Sequence, residues 1–173
     1  MSLKFDQIYH EHISYFTARN IKSILSYSDL KILSLSKNEY HGGSLRTIAS
    51  KKESSLKEYT INKFINYENK KNIYKVKFYE QIKKKIFIKK IKLLDNLIKL
   101  SSKGYTISGI GAGAKSNTFL TFYGLNNKIV KFLTDSSKFK KNKYTPVTRI
   151  IIKDDMELIN YKKIACIILS WNI

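Results

Sequence analysis

The chain has 173 residues, of which 43% are hydrophobic and 13% aromatic, and it carries a net charge of +20. This composition excludes a disordered tail, because such tails contain too little apolar surface to form a core. The single cysteine, Cys166, excludes an internal disulfide and a cysteine metal cluster, so a reducing cytoplasm is the expected location. The longest apolar run, residues 164–169, is too short to cross a bilayer, and neither a membrane segment nor a signal peptide is predicted.

The positive charge does not by itself predict a reader of nucleic acid. Only three of the 33 basic residues are arginine, whereas groups that read bases and phosphates favour the bidentate arginine side chain. We therefore expect loose association with polyanions and no specific nucleic-acid partner. The same charge suits an acidic substrate such as a nucleotide sugar. A non-catalytic, basic nucleotide- or nucleic-acid-binding protein stays open as one alternative.

In chain order, the first elements are a helix and a β-hairpin. Thr17 is suited to cap a helix over residues 18–27, in which apolar side chains recur at helical spacing. Residues 30–36 and 44–49 alternate apolar and polar side chains, which predicts two antiparallel strands joined by a loop.

Two further helices are predicted over residues 54–67 and 73–101, because this region contains helix formers and lacks glycine and proline. Gly104 is placed to end the second of them. That helix carries two neighbouring apolar stripes, formed by Tyr79, Ile82, Ile86, Leu93 and Leu97 and by Phe87, Ile91, Leu94 and Ile98.

The last part of the chain alternates strands and helices. Strands are predicted over residues 105–109, 129–134, 149–153 and 164–170, with a helix over 116–123. Unbroken β-branched runs are typical of a parallel sheet covered on both faces, and right-handed crossovers are expected. The expected fold class is α/β: a Rossmann-like, mostly parallel sheet with helices on both faces, preceded by a helical hairpin and an antiparallel β-hairpin.

A glycine-rich segment follows the first of these strands. Gly109, Gly111 and Ala114 have the G-x-G-x-x-A spacing, which permits a tight turn and close approach of the backbone to a ligand. Lys115 adds positive charge where the helix N-terminus already favours phosphate. Asp135 follows the next strand, where a ribose-binding acid is expected. These features predict a nucleotide or phosphate site, and a nicotinamide-dependent Rossmann-type oxidoreductase domain is a second alternative.

The N-terminal segment contains an acid–base cluster. Tyr9, Glu11 and His12 lie within four residues, and a carboxylate beside an imidazole raises the basicity of the ring, as a general base requires. Such clusters also form purely structural polar contacts, so both interpretations stay open at this point. A metal site is not predicted, because His41 is the only histidine outside this segment.

Four segments resemble, in order, the C-terminal half of sugar C-methyltransferases, which use S-adenosylmethionine and act on nucleotide-linked 4-keto-deoxysugars. These segments are YHEHISYF, HGGSLR, GIGAGAKSN followed by YTP, and the closing LSWN. The resemblance implies that residues 1–50 are the tail of a methyltransferase domain, 51–103 a helical connector, and 104–173 a Rossmann-like substrate-binding domain. The zinc-ligand cysteines and the acidic glycine-rich segment that binds S-adenosylmethionine are absent. A separate N-terminal half is therefore implied as a partner, and this chain alone is expected to be inactive.

By this resemblance, the reaction removes a proton next to a ketone, and the resulting enolate attacks the methyl sulfonium. His12 is the implied base, with Glu11 and Tyr9 positioning it or contacting the sugar. S-adenosylmethionine would be bound mainly by the absent part. The residues predicted to contact the substrate or its phosphates are His41, Ser44, Arg46, Gly109, Gly111, Lys115, Ser116 and Asn117.

Overall fold

The computed structural model describes residues 5–39, 43–51 and 59–170. Within these ranges the α-helices are α1 (Ala18–Tyr27), α2 (Tyr59–Lys70), α3 (Val76–Ser102) and α4 (Ala114–Tyr123). The strands are β1 (Lys31–Asn38), β2 (Ser44–Ser50), β3 (Thr106–Ile110), β4 (Phe132–Thr134), β5 (Ile152–Lys153) and β6 (Ile164–Ile168). Short 3-10 helices cover Phe5–Gln7 and Asp155–Asn160.

The chain divides into two compact units. The sheet unit combines the segment that ends at Ile13 with the segment that starts at Lys84, and the hairpin unit is Ser14–Lys83. The predicted division into residues 1–50, 51–103 and 104–173 assigns segments to parts of a larger enzyme, and it stays a prediction.

The hairpin unit confirms the predicted helix and hairpin. Thr17 caps α1, because its Oγ1 accepts the N–H of Asn20 at 3.2 Å. Strands β1 and β2 are antiparallel, with an irregularity in the register between Ile32 and Ser34. An isolated two-stranded hairpin is marginal in water. Here α1 and α2 share the core of the hairpin, which is formed by Ala18, Leu35 and Ile61 with the partly buried Ile32, Leu45, Phe64 and Ile65.

A buried carboxylate from α2 closes the N-terminus of α1. Glu68 is 7% exposed and accepts the N–H groups of Ala18 at 2.6 Å and Arg19 at 3.4 Å. The hydroxyl of Tyr74 also donates to it. Amides in the first turn of a helix lack acceptors within the helix, and the helix dipole favours an anion there. Burial, together with the bond to Glu68, raises the pKa of the Tyr74 hydroxyl, so this group stays a donor at neutral pH.

We expect Glu68→Ala to lower the free energy of unfolding by about 2–4 kcal/mol, because it removes charged hydrogen bonds and leaves the buried Ala18 amide without this acceptor. Chemical denaturation followed by circular dichroism measures this change. The matched control is Glu80→Ala, an exposed position on α3, which should stay within about 0.5 kcal/mol of the unchanged chain. Equal losses for the two variants would contradict the capping role of Glu68.

The helix α3 ends where the sequence predicts. Gly104 has φ +78°, and the N–H of Tyr105 donates to the carbonyl of Leu100 at 3.1 Å. The N–H of Gly104 donates to Ser101 at 2.9 Å, which completes the pattern of a glycine C-cap. None of the described helices combines the length and apolar content that a bilayer crossing requires.

In the sheet unit, β3 lies inside a four-stranded parallel sheet of order β5-β4-β3-β6. Strands β4 and β5 are added on one side of β3, and β6 is then added on its other side. This is the strand order of one half of a dinucleotide-binding fold. The Rossmann-like α/β fold class is thereby confirmed. The core of this unit is formed by Leu97, Ile107, Leu120, Tyr123, Leu125, Val130, Leu133, Ile150, Ile152 and Leu169.

Strands β4 and β5 each begin three residues later than predicted. The strand expected from residue 129 begins at Phe132, because Ile129 and Val130 both donate their N–H groups to the carbonyl of Asn126 and form a turn. The strand expected from residue 149 is reduced to β5, since Arg149 has φ +56°. A left-handed residue cannot continue a strand.

The prediction that the last apolar run is buried on both faces is wrong. Strand β6 pairs with β3 at one edge of the sheet. Ile168 is 66% exposed, and Cys166 is also exposed. An apolar run does not distinguish an edge strand from a central one, because that difference is set by strand order.

Candidate functional site

Phe5 attaches the acid–base segment to the sheet unit. Its ring stacks on Phe119, with centroids 6.2 Å apart, and lies 4.6 Å from Phe122 and 5.9 Å from Tyr123. These three partners belong to α4, the helix that follows the glycine-rich loop. Aromatic contacts of this kind stabilise beyond their buried area. The acid–base segment and the glycine-rich loop are about 100 residues apart in sequence. They nevertheless lie in the same unit.

His12 is held in a defined tautomer. Its Nδ1 lies 2.8 Å from the backbone carbonyl oxygen of Gln7. A carbonyl oxygen only accepts, so Nδ1 carries the hydrogen and Nε2 carries the lone pair in the neutral ring. The ring of Tyr9 packs against His12 at a centroid distance of 4.5 Å. The turn that sets this geometry is closed by the bond from the His12 N–H to the Tyr9 carbonyl, at 3.0 Å.

Glu11 contacts Tyr9 and His10. The Tyr9 hydroxyl donates to Glu11 Oε2 at 3.0 Å, and Glu11 Oε1 lies 3.9 Å from His10 Nε2. His10 has a side chain that is 80% exposed. The geometry therefore links Glu11 to Tyr9, and Tyr9 in turn contacts the His12 ring.

The first turn of α4 carries three of the predicted contact residues. Lys115 Nζ lies 5.9 Å from the centroid of the Tyr9 ring, which places this lysine beside the acid–base segment. Ser116 Oγ donates to the carbonyl of Gly111 and accepts the N–H of Gly113, both at 3.2 Å. Asn117 Oδ1 is buried and has no hydrogen-bond partner in the described part of the chain. A buried acceptor of this kind is uncommon and calls for an explanation.

Packing accounts for the two predicted glycines. A Cβ at Gly109 would lie 2.6 Å from Leu133 Cδ2. Gly111 has φ +92°, and a Cβ there would lie 1.8 Å from the Oγ of Ser170. Ser170 follows β6, and no signal in the sequence indicates that it reaches the loop after β3. The close approach that Gly111 permits is therefore made by the chain itself, and a ligand contact at either glycine stays a prediction.

Asp135 closes the glycine-rich loop from the end of β4. Its carboxylate accepts the N–H of Ala112 at 2.8 Å and of Ser137 at 3.0 Å, and it pairs with Lys140 Nζ at 2.9 Å. Burial alone would raise the pKa of Asp135, but these three contacts outweigh it and hold the pKa of the carboxyl below its ordinary value. Asp135, which the spacing predicts to bind a ribose, is thus already hydrogen-bonded to residues of its own unit.

Asp135→Asn should lower the free energy of unfolding by about 1–2 kcal/mol at neutral pH, because it removes the ion pair and weakens the bond to Ala112. Because the folded-state pKa is depressed, the stabilisation is present above the unfolded pKa of about 3.9 and is lost as pH falls through the folded value. Denaturation at a series of pH values should show the two curves converging in acid. The exposed Asp155, changed to Asn in the same unit, serves as the control. A difference that persists unchanged in acid would contradict this account.

The remaining predicted contacts lie elsewhere. Ser44 and Arg46 belong to β2 of the hairpin unit, opposite Asn38 and Ser36, and both are exposed. His41 lies outside the described residues, as does the end of the LSWN segment. Within the described ranges, no group of three histidine, cysteine or acidic side chains is suited to hold a metal ion.

Residues 39–173 match the family described as the C-methyltransferase C-terminal domain. The chain belongs to this family, and the resemblance seen in its motifs is confirmed. The C-methyltransferase NovU of Streptomyces niveus is 22% identical to it over 170 residues, which cover 98% of this chain and 40% of NovU. The chain thus spans less than half the length of that relative. The acid–base segment lies outside the family match. It lies within the alignment with NovU, which covers 98% of this chain.

Proposed function

We propose that this chain is the substrate-side part of an S-adenosylmethionine-dependent C-methyltransferase that acts on a nucleotide-linked 4-keto-deoxysugar. In this proposal it supplies the general base and the contacts to the sugar nucleotide. The observation that carries the proposal is the attachment of the acid–base segment to α4, with Tyr9 beside Lys115. A base and a cation suited to phosphate thereby come from one unit. A cytoplasmic location fits this role.

His12 acts in this proposal through Nε2. A proton next to a ketone is too weakly acidic to leave without a base, and an imidazole titrates close to working pH. When Nε2 takes the proton, the ring becomes a cation, and its bond from Nδ1–H to the Gln7 carbonyl strengthens because the donor is then charged. Tyr9 keeps the ring in place from one side, and Glu11 holds the Tyr9 hydroxyl.

The first turn of α4 is proposed to face the nucleotide. The positive end of the helix dipole favours phosphate, and Lys115 adds a full charge there. Asn117, whose Oδ1 has no hydrogen-bond partner in the described part of the chain, is also proposed as a contact to the substrate. Ser116 contributes by shaping the loop. Contacts of His41, Ser44 and Arg46 with the substrate are proposed from the family resemblance alone.

S-adenosylmethionine does not fit the described residues of this chain. A nucleoside cofactor on this fold needs the glycine-rich loop and the acid after the second strand. Here Ser170 covers Gly111, and Asp135 is paired with Lys140. We therefore propose that the methyl donor is bound mainly by a part of the enzyme outside these residues, and that the chain alone is inactive. The same two contacts weigh against the nicotinamide-dependent alternative, and no specific observation favours the non-catalytic alternative.

Calorimetry with three ligands tests the proposal. We expect the isolated chain to bind a thymidine-diphosphate sugar weakly and to show no heat with S-adenosylmethionine or NADH. Nitrogen NMR of the imidazoles during the sugar-nucleotide titration should show His12 shifting while the exposed His10 stays constant. A clear S-adenosylmethionine heat would overturn the assignment of the chain, and NADH binding would restore the oxidoreductase alternative.

Lys115→Ala should weaken binding of the thymidine-diphosphate sugar by about threefold to tenfold, as expected for the loss of one phosphate contact. The loss should be larger at low salt, because the contact is partly Coulombic and is screened as salt rises. The control is Lys128→Ala, an exposed lysine of the same unit, which tests whether any lysine has this effect. Equal losses for the two variants would assign the binding to the general charge of the chain.

A further inference from the structure

The acid–base segment lies along α4. At the start of the segment, the Phe5 ring packs on Phe119 and Phe122 in the second half of the helix, with centroids 6.2 and 4.6 Å away. Further along the segment, the Tyr9 ring lies 5.9 Å from the Nζ of Lys115, in the first turn of the helix. The segment and the helix therefore run in opposite directions. Phe5 is held at the end of α4 away from the turn that is proposed to face the nucleotide.

The end of α4 that receives Phe5 is itself held by α3. Lys90 Nζ donates to the carbonyl of Phe122 and lies 4.9 Å from the centroid of its ring. Phe87 packs edge-on against the same ring at 6.1 Å. The last carbonyls of a helix lack donors within the helix, and a cation is favourable beside them. The Phe122 ring is thus fixed from α3, and it gives Phe5 a rigid surface to pack on.

Phe5 lies two residues before the carbonyl that orients His12. The residues Phe5–Gln7 form a 3-10 turn, which the N–H of Ile8 closes by donating to the Phe5 carbonyl at 2.9 Å. The Gln7 carbonyl oxygen of this turn lies 2.8 Å from His12 Nδ1. The neutral imidazole of a free histidine carries its hydrogen mainly on Nε2, whereas a carbonyl beside Nδ1 keeps the hydrogen on Nδ1. A displaced turn would therefore release the hydrogen to Nε2, the atom that the proposed base needs free.

We infer that Phe5 is a positioning residue for the proposed reaction. Its ring fixes the turn that holds His12, so that Nε2 keeps one place relative to Lys115. Helix α4 sets the spacing, because Lys115 and Phe122 are about 10 Å apart along its axis at the helical rise per residue. A displacement of about 1 Å at a reacting group costs about a hundredfold in rate. This role rests on the proposed function of His12, through which Phe5 acts.

Nitrogen NMR of the full chain tests the anchoring, at a pH where the His12 ring is neutral. The hydrogen should be on Nδ1 in the unchanged chain, and Nε2–H should become the major form in Phe5→Ala. Phe5 is only partly buried against the core, and circular dichroism should show the variant folded. Phe5→Leu keeps part of the apolar contact and should give an intermediate result. The matched control is Phe139→Ala, at a position of the same unit that is 92% exposed, and it should keep the hydrogen on Nδ1.

Binding and turnover separate a positioning role from a structural one. Phe5→Ala should bind the thymidine-diphosphate sugar within about threefold of the unchanged chain, because Lys115 stays on α4. In the enzyme assembled with its methyl-donor part, kcat should fall by about tenfold to a hundredfold while KM stays nearly constant. Phe5→Leu should recover part of kcat, and Phe139→Ala should keep all of it.

Three results would overturn the inference. Hydrogen that stays on Nδ1 in Phe5→Ala would show that Phe5 does not hold the turn. A loss confined to KM would make Phe5 a binding residue. A fall in kcat with the tautomer unchanged would mean that Phe5 does not act through His12. If His12→Asn kept full activity, the proposed base would be wrong and the role of Phe5 in the reaction would fall with it. The NMR result, which does not depend on the reaction, distinguishes that case from a failure of the anchoring.

Discussion

His12→Asn should abolish both methyl transfer and the exchange of the substrate proton with solvent deuterium in the assembled enzyme, while sugar-nucleotide binding survives. A positioned acid or base contributes about 10²–10⁴ in rate, and this is the loss we expect. The asparagine amide can still donate to the Gln7 carbonyl that holds Nδ1 in the unchanged chain. The variant therefore removes the basic nitrogen while keeping the anchoring bond.

Proton NMR of the substrate in deuterium oxide measures the exchange step separately from methyl transfer. His10→Asn is the control, because that neighbouring imidazole has a side chain that is 80% exposed, and it should retain both activities. If the His12 variant kept proton exchange but lost methyl transfer, the base would have to be Tyr9 or Glu11.

The second large effect is expected at Gly111. Gly111→Ala introduces a side chain at φ +92° and places its Cβ 1.8 Å from Ser170 Oγ. We expect about 1–2 kcal/mol of backbone strain and about 1–3 kcal/mol from the overlap. Chemical denaturation should therefore show a loss of about 2–5 kcal/mol, and Ser170→Gly in the same chain should recover part of it.

Two other glycines separate these causes. Gly104 has φ +78° but open space around its Cβ position, so Gly104→Ala should show the strain alone. Gly113 has φ −84°, and a Cβ there would meet only Ser116 Oγ, at 3.9 Å. Gly113→Ala should thus show little more than the loss of a favourable cap residue. If Gly111→Ala cost no more than Gly104→Ala, the contact with Ser170 would not constrain the loop.

Local signals predicted the elements that have local causes. The Thr17 cap and the alternation in the hairpin are contained in a few residues, so α1 and the pairing of β1 with β2 followed from sequence. The bounds of β4 and β5 could not be predicted from the sequence. A count of β-branched residues does not reveal the turn at Asn126 or the left-handed conformation of Arg149. Edge position also escaped prediction, since it depends on the order of strands.

The candidate site shows the same limit. The residue types of the acid–base cluster and of the glycine-rich loop are readable in the sequence, and so is their likeness to the family. Three long-range contacts arrange these residues in space. Phe5 attaches the acid–base cluster to α4, Ser170 covers Gly111, and the Asp135 carboxylate accepts the N–H of Ala112. Periodicity and spacing carry no information about such contacts, because they describe neighbours along the chain and not neighbours in space.

The capping of α1 by Glu68 changes what hydrogen exchange at the first amides of that helix measures. Amides in a first turn ordinarily exchange hydrogen with water quickly, because the helix offers them no acceptor. The Ala18 amide instead donates to a carboxylate 50 residues away. Its protection consequently measures how long α2 stays in place, so a residue at the start of one helix serves as a reporter for the opening of another.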